Sequence, residues 1–494
     1  MAYMEAKKQS GKIDLSLEFS DQWAWGLILT LVTAVVSLLV SFQAAAFLLL
    51  FFIVAWWVWE REEAGFLLLL ILLPILPMLK IAQTIGTFTL VKDVIIFTLL
   101  FKLVLVPLAR KSLAYRPNIL LAPLIALLAW MAIVLARADS FLLGILRARD
   151  VGLYILLYLA VLWLGPSWQK QKERLKWLVG IVLATLALGV YQWFYAVDSA
   201  VLRFDPAREI WIPRLSSVLA HPSIFGQWLI SASVLCLALF LVPASQKYRW
   251  WFGGLFLVIM PFVFLTYSRA VWIGLAVAMG VVGIAWVIKR AMTFGLKLNG
   301  KWIGTLALAG ALGVAGLFAV ANLTPAGGLL RSAFDPTYGS NEERLEFLAR
   351  LISPLSNGEA VIGRGLGDVL EQNFREVDLT TAELAAGDAR AVQLTKNKTL
   401  VDNQYLKTFI EMGVVGLVIY GWLYWRLGQG AWRLIKARDE RVQAVGLMAI
   451  GFLAAFLTQG FFIDIWDIFP TNALFWVVAA LVSVYNRPEI KNHV

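Results

Sequence analysis

The chain has one cysteine, Cys236, two histidines, His221 and His493, and a charged fraction of only 15% over 494 residues. A single thiol excludes an intrachain disulfide. Because Cys236 lies in an apolar run, it reads as a small buried hydrophobe and not as half of a redox pair or a thiolate metal ligand. The sequence contains no DxD and no HExxH, so neither a metal nor another cofactor is expected. The formal charge of +11 is scattered over short connectors instead of being gathered on one domain. That spread argues against a nucleic-acid partner and reads as a topology signal.

What is abundant is apolar sequence. Hydrophobic residues make up 60% of the chain, with 22 Trp and 30 Phe, well above the roughly 45–50% of soluble domains. Runs of about 20 apolar residues recur, each long enough at 1.5 Å per residue to cross a hydrocarbon core of ~30 Å. They lack the alternating period of a barrel, so helices are the element that satisfies the backbone in lipid. The expected fold is an all-α polytopic membrane protein. Its spans fall near 23–41, 43–59, 65–80, 88–108, 118–136, 150–164, 176–196, 224–242, 251–267, 270–288, 303–321, 404–425, 443–463 and 471–485. The third span, with Pro74 and Pro77, and the short sixth are the least regular of these; about 12 to 14 transmembrane helices result. Residues 1–22 form a polar N-terminal segment with no cleavage pattern after the first apolar run, so no removable signal peptide is expected.

Basic residues recur in alternate connectors: Arg110, Lys111 and Arg116; Lys170, Lys172, Arg174 and Lys176; Lys247 and Arg249; Lys289, Arg290, Lys297 and Lys301; Arg433, Lys436, Arg438 and Arg441. By the positive-inside rule these connectors and both termini face the cytoplasm. The chain then divides into a bundle at 23–321, one large external loop at 322–403, further spans at 404–485 and a cytoplasmic tail at 486–494. The connector at 197–222 is also external. Within the large loop, Leu345, Leu348, Ala349 and Ile352 share one face of an amphipathic stretch, and the glycine-dense Gly363-Arg364-Gly365-Leu366-Gly367 signals a turn.

Three polar places fall on the external side. The first is Ile212-Pro213-Arg214-Leu215-Ser216-Ser217 with His221-Pro222-Ser223; the second is Thr266-Tyr267-Ser268-Arg269; the third is Asp402-Asn403-Gln404-Tyr405. Arg269 occupies a connector too short to carry it into bulk water, where a guanidinium costs about 2.5–3.5 kcal/mol or more at membrane depth. It either snorkels to the interface or binds an anion, for which its five-donor fork suits phosphate oxygens. Arg214 alone reads equally as a solvated charge, and a lone loop histidine such as His221 is more often a structural hydrogen-bonder. Asp402-Asn403 before an apolar run is an ordinary helix cap, while a carboxylate at a helix mouth also suits proton acceptance from a hydroxyl.

Asp402-Asn403, nine residues, Gly413, two residues and Gly416 resemble the His-Asn-x9-Gly-x2-Gly signature of the O-antigen ligase and polymerase superfamily, with aspartate in the first place. Ser268-Arg269-Ala270-Val271-Trp272-Ile273-Gly274 is similar to that family's Ser-Arg-x-x-Trp-x-Gly span start, and the stretch from Arg344 to Gly367 to its external loop. The likeness covers roughly 210–430. It implies a GT-C-like, metal-independent, inverting glycosyltransferase in a bacterial cytoplasmic membrane. Such an enzyme moves a glycan from an undecaprenyl-diphosphate carrier to a lipid, protein or glycan acceptor. On that likeness Arg214 and Arg269 hold the diphosphate and Asp402 stands in the place of the catalytic histidine. Arg344, Asn403, His221, Tyr405 and Ser268 are the expected substrate contacts. A polymerase of the same superfamily, a non-catalytic relative, and a lipid or polysaccharide transporter are the alternatives. The last predicts mid-span charge on several helices, of which Lys92, Asp93 and Lys102 are the visible ones.

Overall fold

The computed structural model describes residues 42–81, 86–112, 118–165, 168–196, 201–205, 210–219, 221–242, 246–293, 355–369, 403–466 and 468–487. The spans expected at 23–41 and 303–321 and the amphipathic stretch at 342–352 lie outside the described residues. Among the described residues the chain is almost entirely helical.

Helices α1 (Phe42–Glu60) and α2 (Glu62–Ile81) form an apolar pair, and α2 continues through Pro74 and Pro77. A short 3-10 turn leads into α3 (Val91–Leu100), which passes through a π turn at Phe101–Leu105 into α4 (Val106–Ala109). Then follow α5 (Leu121–Leu135), α6 (Phe141–Leu164) and α7 (Trp168–Tyr195). Strands β1 (Val201–Asp205) and β2 (Ile210–Arg214) make one antiparallel hairpin, which the apolar pattern did not announce. Helices α8 (Pro222–Leu241), α9 (Gln246–Leu265) and α10 (Arg269–Thr293) come next. The short α11 (Asn357–Ile362) precedes α12 (Gln404–Ile435), α13 (Glu440–Gln459) and α14 (Thr471–Tyr485). Seven of these helices are long and apolar enough to cross a membrane, and α1, α5 and α14 contain shorter apolar stretches.

The sixth span is longer than its sequence suggests. Ser140 accepts the Leu143 N–H and caps α6, which begins nine residues before the expected start at 150, so Arg147 and Arg149 are helical and not part of a connector.

Small residues set the packing of α8, α10 and α13. A Cβ on Gly226 would stand 2.3 Å from Val271, one on Gly274 2.9 Å from Gln459, and one on Gly451 2.4 Å from Val282. Close backbone approach of this kind replaces the hydrophobic drive that lipid does not provide. An aromatic cluster joins α12, α13 and α14: Phe456 lies 4.6 Å from Phe475, Trp466 lies 4.8 Å from Phe475, and the Trp466 indole N–H donates to the Tyr424 hydroxyl at 2.9 Å.

Polar contacts sort to the two ends of the bundle. At one end Arg174 meets Glu63, Lys102 meets Glu62, Arg426 donates to the Ile119 carbonyl, and Lys289 donates to the carbonyls of Lys436 and Ala437. At the other lie Arg214, Ser216, Ser268, Asn403 and Asp464 with their partners. Connectors expected on the same side of a membrane therefore meet one another.

Candidate functional site

The site end is organised by a tight turn between α9 and α10. Tyr267 takes a left-handed φ of 44°, a conformation that costs a non-glycine residue of order 1–3 kcal/mol and persists only where neighbours over-determine it. Here the Trp272 indole N–H and the Thr266 hydroxyl both donate to the Val263 carbonyl, at 3.0 and 2.7 Å. Each part of Ser268-Arg269-x-x-Trp272-x-Gly274 thus has a physical task. The tryptophan locks the turn, Gly274 admits Gln459, and Ser268 and Arg269 are presented at the mouth.

Arg269 is 9% exposed and Ser268 4%. Both residues are buried.

The same turn receives the hairpin. Arg214, the last residue of β2, donates from Nε to the Thr266 carbonyl at 3.0 Å, and the next amide, Leu215 N–H, donates to the Leu265 carbonyl at 2.9 Å. Gln192 of α7 accepts the N–H groups of Ser216 and Ser217 and donates to the Ser216 hydroxyl. The Ser223 and Ser268 hydroxyls are 3.3 Å apart. The first two of the three polar places are therefore one place.

His221 is the N-cap of α8, its Nδ1 accepting the Ser223 N–H at 3.2 Å. A ring nitrogen that accepts is unprotonated, which leaves Nε2 as a donor. Although His221 is exposed overall, desolvation of its ring and then the Arg214 charge lower its pKa to about 4. It is a neutral capping group, placed beside Arg214.

The third place arrives through α13. Gln459 packs on Gly274, and the following carbonyl, Gly460, accepts the Gln404 N–H at 2.8 Å. Asn403 caps α12, accepting the Leu406 N–H at 3.0 Å and donating to the Phe461 carbonyl at 3.2 Å. Tyr405 donates its hydroxyl to the Leu457 carbonyl at 2.6 Å. Asn403 and Tyr405 thus fix the start of α12 against the end of α13. Asp402 and Arg344 lie outside the described residues. Three helix N-termini, those of α8, α10 and α12, open at this one end. Each carries a partial positive charge suited to an anion.

The glycine signature explains the next turn of α12. Gly413 breaks the helix at φ 67°, and a Cβ there would stand 2.2 Å from the Val361 carbonyl; one on Gly363, at φ 92°, would stand 2.4 Å from the Glu411 carbonyl. The loop at 355–369 is docked into the break. The Arg364 N–H donates to the Ile410 carbonyl and the Trp130 indole to the Met412 carbonyl, both at 2.9 Å, so acceptors released by the break are paired again.

Four buried charges flank the break. Arg147 meets Glu411 at 3.0 Å and Lys407 meets Asp464 at 2.6 Å, with every side chain at most 7% exposed. The sequence reading passed over them. Lys407 and Glu411 stand at i and i+4 inside an apolar run, a spacing that could have flagged them. The visible mid-span charges are also neutralised, Asp93 by Lys92 and Arg149, and Lys102 by Glu62. No cluster of metal-ligating side chains occurs among the described residues.

The described residues define a polytopic helical membrane protein with an arginine-bearing candidate site at one end of its bundle. A family model described as O-antigen ligase matches residues 254–421, roughly a third of the chain, and supports the likeness to the O-antigen ligase and polymerase superfamily. The match runs from α9 into α12. It includes Arg269, the docked loop and the signature, whereas Arg147, Arg214, His221 and Asp464 lie outside it. A comparison with curated proteins finds no match.

Proposed function

We propose that the chain transfers a glycan from a polyprenyl-diphosphate carrier, of the undecaprenyl kind, to a lipid, protein or glycan acceptor on the outer face of the cytoplasmic membrane. The observation that carries this reading is the union of Arg214 and Arg269 through the Leu265–Ser268 turn, at the end where three helix N-termini open. Two guanidiniums and three positive helix ends suit a leaving diphosphate, and preorganised donors in a dehydrated site need no reorganisation as charge develops. In the step itself an acceptor hydroxyl attacks the anomeric carbon opposite the diphosphate, the carbon–oxygen bond to phosphate breaks, and the hydroxyl proton passes to Asp402. The result is inversion, with the carrier released as its diphosphate. An aspartate with an ordinary pKa of about 3.9 is a weaker base than histidine, and burial would raise it.

The test is release of undecaprenyl diphosphate by purified protein in nanodiscs, given carrier-linked glycans and candidate acceptors. Arg214→Ala and Arg269→Ala should each lower turnover by about 10²–10³-fold, the cost of removing one such donor, and Asp402→Ala by about 10²–10⁴-fold, the contribution of a general base, while the protein stays monodisperse. Full activity in all three would overturn the assignment, and the acceptor that works separates ligase from polymerase. A transporter reading is less well supported, because the buried charges Asp93, Arg147, Lys407, Glu411 and Asp464 stand in ion pairs.

A further inference from the structure

We propose that the β1–β2 hairpin is a membrane-interface anchor whose apolar outer face rests in the boundary between lipid headgroups and acyl chains. Register puts Leu202 opposite Pro213 and Phe204 opposite Trp211. Alternation along β2 then turns Ile212 inward, where it is 5% exposed, and Trp211 outward, where it is 63% exposed; Leu202 on the same outer face is 54% exposed. A two-stranded hairpin is marginal in water by itself.

What covers this face follows from where the hairpin is tied. The Leu215 N–H and the Arg214 side chain bind it to the end of α9, and Gln192 binds its exit to α7. Both helices are candidate membrane spans, and α7 ends on Tyr191, Phe194 and Tyr195, which are 58%, 71% and 79% exposed. Tyr191 and Tyr195 stack on each other at 5.6 Å. Exposed Trp and Tyr at the ends of spans form the belt that sits at headgroup level, and Trp211 continues that belt onto the hairpin. The occupant is therefore lipid, and the anchor sets the depth of Arg214, the residue that ends β2.

The chain's one cysteine makes the test direct. In a Cys236→Ser background, Trp211→Cys and, as a second surface site, Leu202→Cys are labelled with a bimane and reconstituted in nanodiscs of phosphatidylcholine and phosphatidylglycerol. Asn357→Cys, exposed on α11, is the water-facing control. Lipids carrying a nitroxide near the headgroup should remove at least about half of the emission from both hairpin probes, as expected for side chains at the interface, and aqueous iodide should quench them far less than the control. Iodide quenching equal to the control, with no response to the lipid nitroxide, would overturn the proposal. Shielding from both quenchers would place the face against protein and overturn it as well.

Discussion

Arg269 and His221 lie at the same end of the bundle, linked through Ser223 and Ser268. Arg269 is a buried arginine, whereas His221 is neutral while its Nδ1 accepts the Ser223 N–H. An unfolded histidine titrates near 6.5 and His221 near about 4. As pH falls the unfolded chain takes up its proton first, so the stability contributed by this cap is complete above about 6.5 and is lost progressively toward about 4. His221→Asn substitutes a cap that does not titrate. Thermal unfolding in detergent, scanned from about pH 7 to about pH 4, should show a smaller acid-induced drop in the variant than in the wild type. The difference will be modest, since His221 is exposed. An equal drop in both would remove His221 from the acid response. Ser268 and Ser223, bonded to each other, line the same mouth and are its small polar contacts.

Among the elements, α12 carries the most information, because its break is built by two glycines on different segments. Gly413→Ala forces a side chain onto a left-handed backbone and into the Val361 carbonyl at 2.2 Å. The conformation, φ 67° with ψ −171°, is essentially confined to glycine and costs another residue of order 1–3 kcal/mol, and docking of the loop at 355–369 should be lost with it. Gly421, on the same helix with nothing within 4 Å of its Cβ position, is the internal control: Gly421→Ala should stabilise by up to about 1 kcal/mol through helix propensity. Unfolding midpoints of the two variants in detergent should therefore move in opposite directions. Parallel movement would mean that the break is not a fixed feature of the folded state. The hairpin is the other informative element. It has no partner strand among the described residues, and its place is decided by the backbone and side-chain bonds that tie Arg214–Ser217 to α7 and α9.

Across the whole molecule, the two buried ion pairs hold together segments far apart in sequence. Arg147 and Glu411 are separated by 264 positions, and Lys407 and Asp464 by 57. Removing one partner leaves an uncompensated buried charge, a loss of about 3–5 kcal/mol, whereas replacing both by apolar residues is often close to neutral. Glu411→Ala should accordingly be far less stable than the double variant Arg147→Leu/Glu411→Leu when unfolding is followed in detergent. Equal losses would show that the pair is not the source of the cost. If the double variant folds but turns over slowly, the pair also positions the start of α12.

The succession of spans, the three polar places and the glycine signature were legible in the linear chain, because each depends on residues close in sequence. Apolar length is a local sum, and a cap or a turn motif is complete within a dozen residues. The start of α6 is not legible in the sequence because Arg147 and Arg149 look like a connector until Glu411 and Asp93 neutralise them from other helices. The union of Arg214 with the Arg269 turn, the docking of Gly363 against Gly413, the buried pairs and the outward face of the hairpin all join residues tens to hundreds of positions apart. Only tertiary structure decides such contacts, since no local pattern says which distant group satisfies a buried charge or an opened backbone.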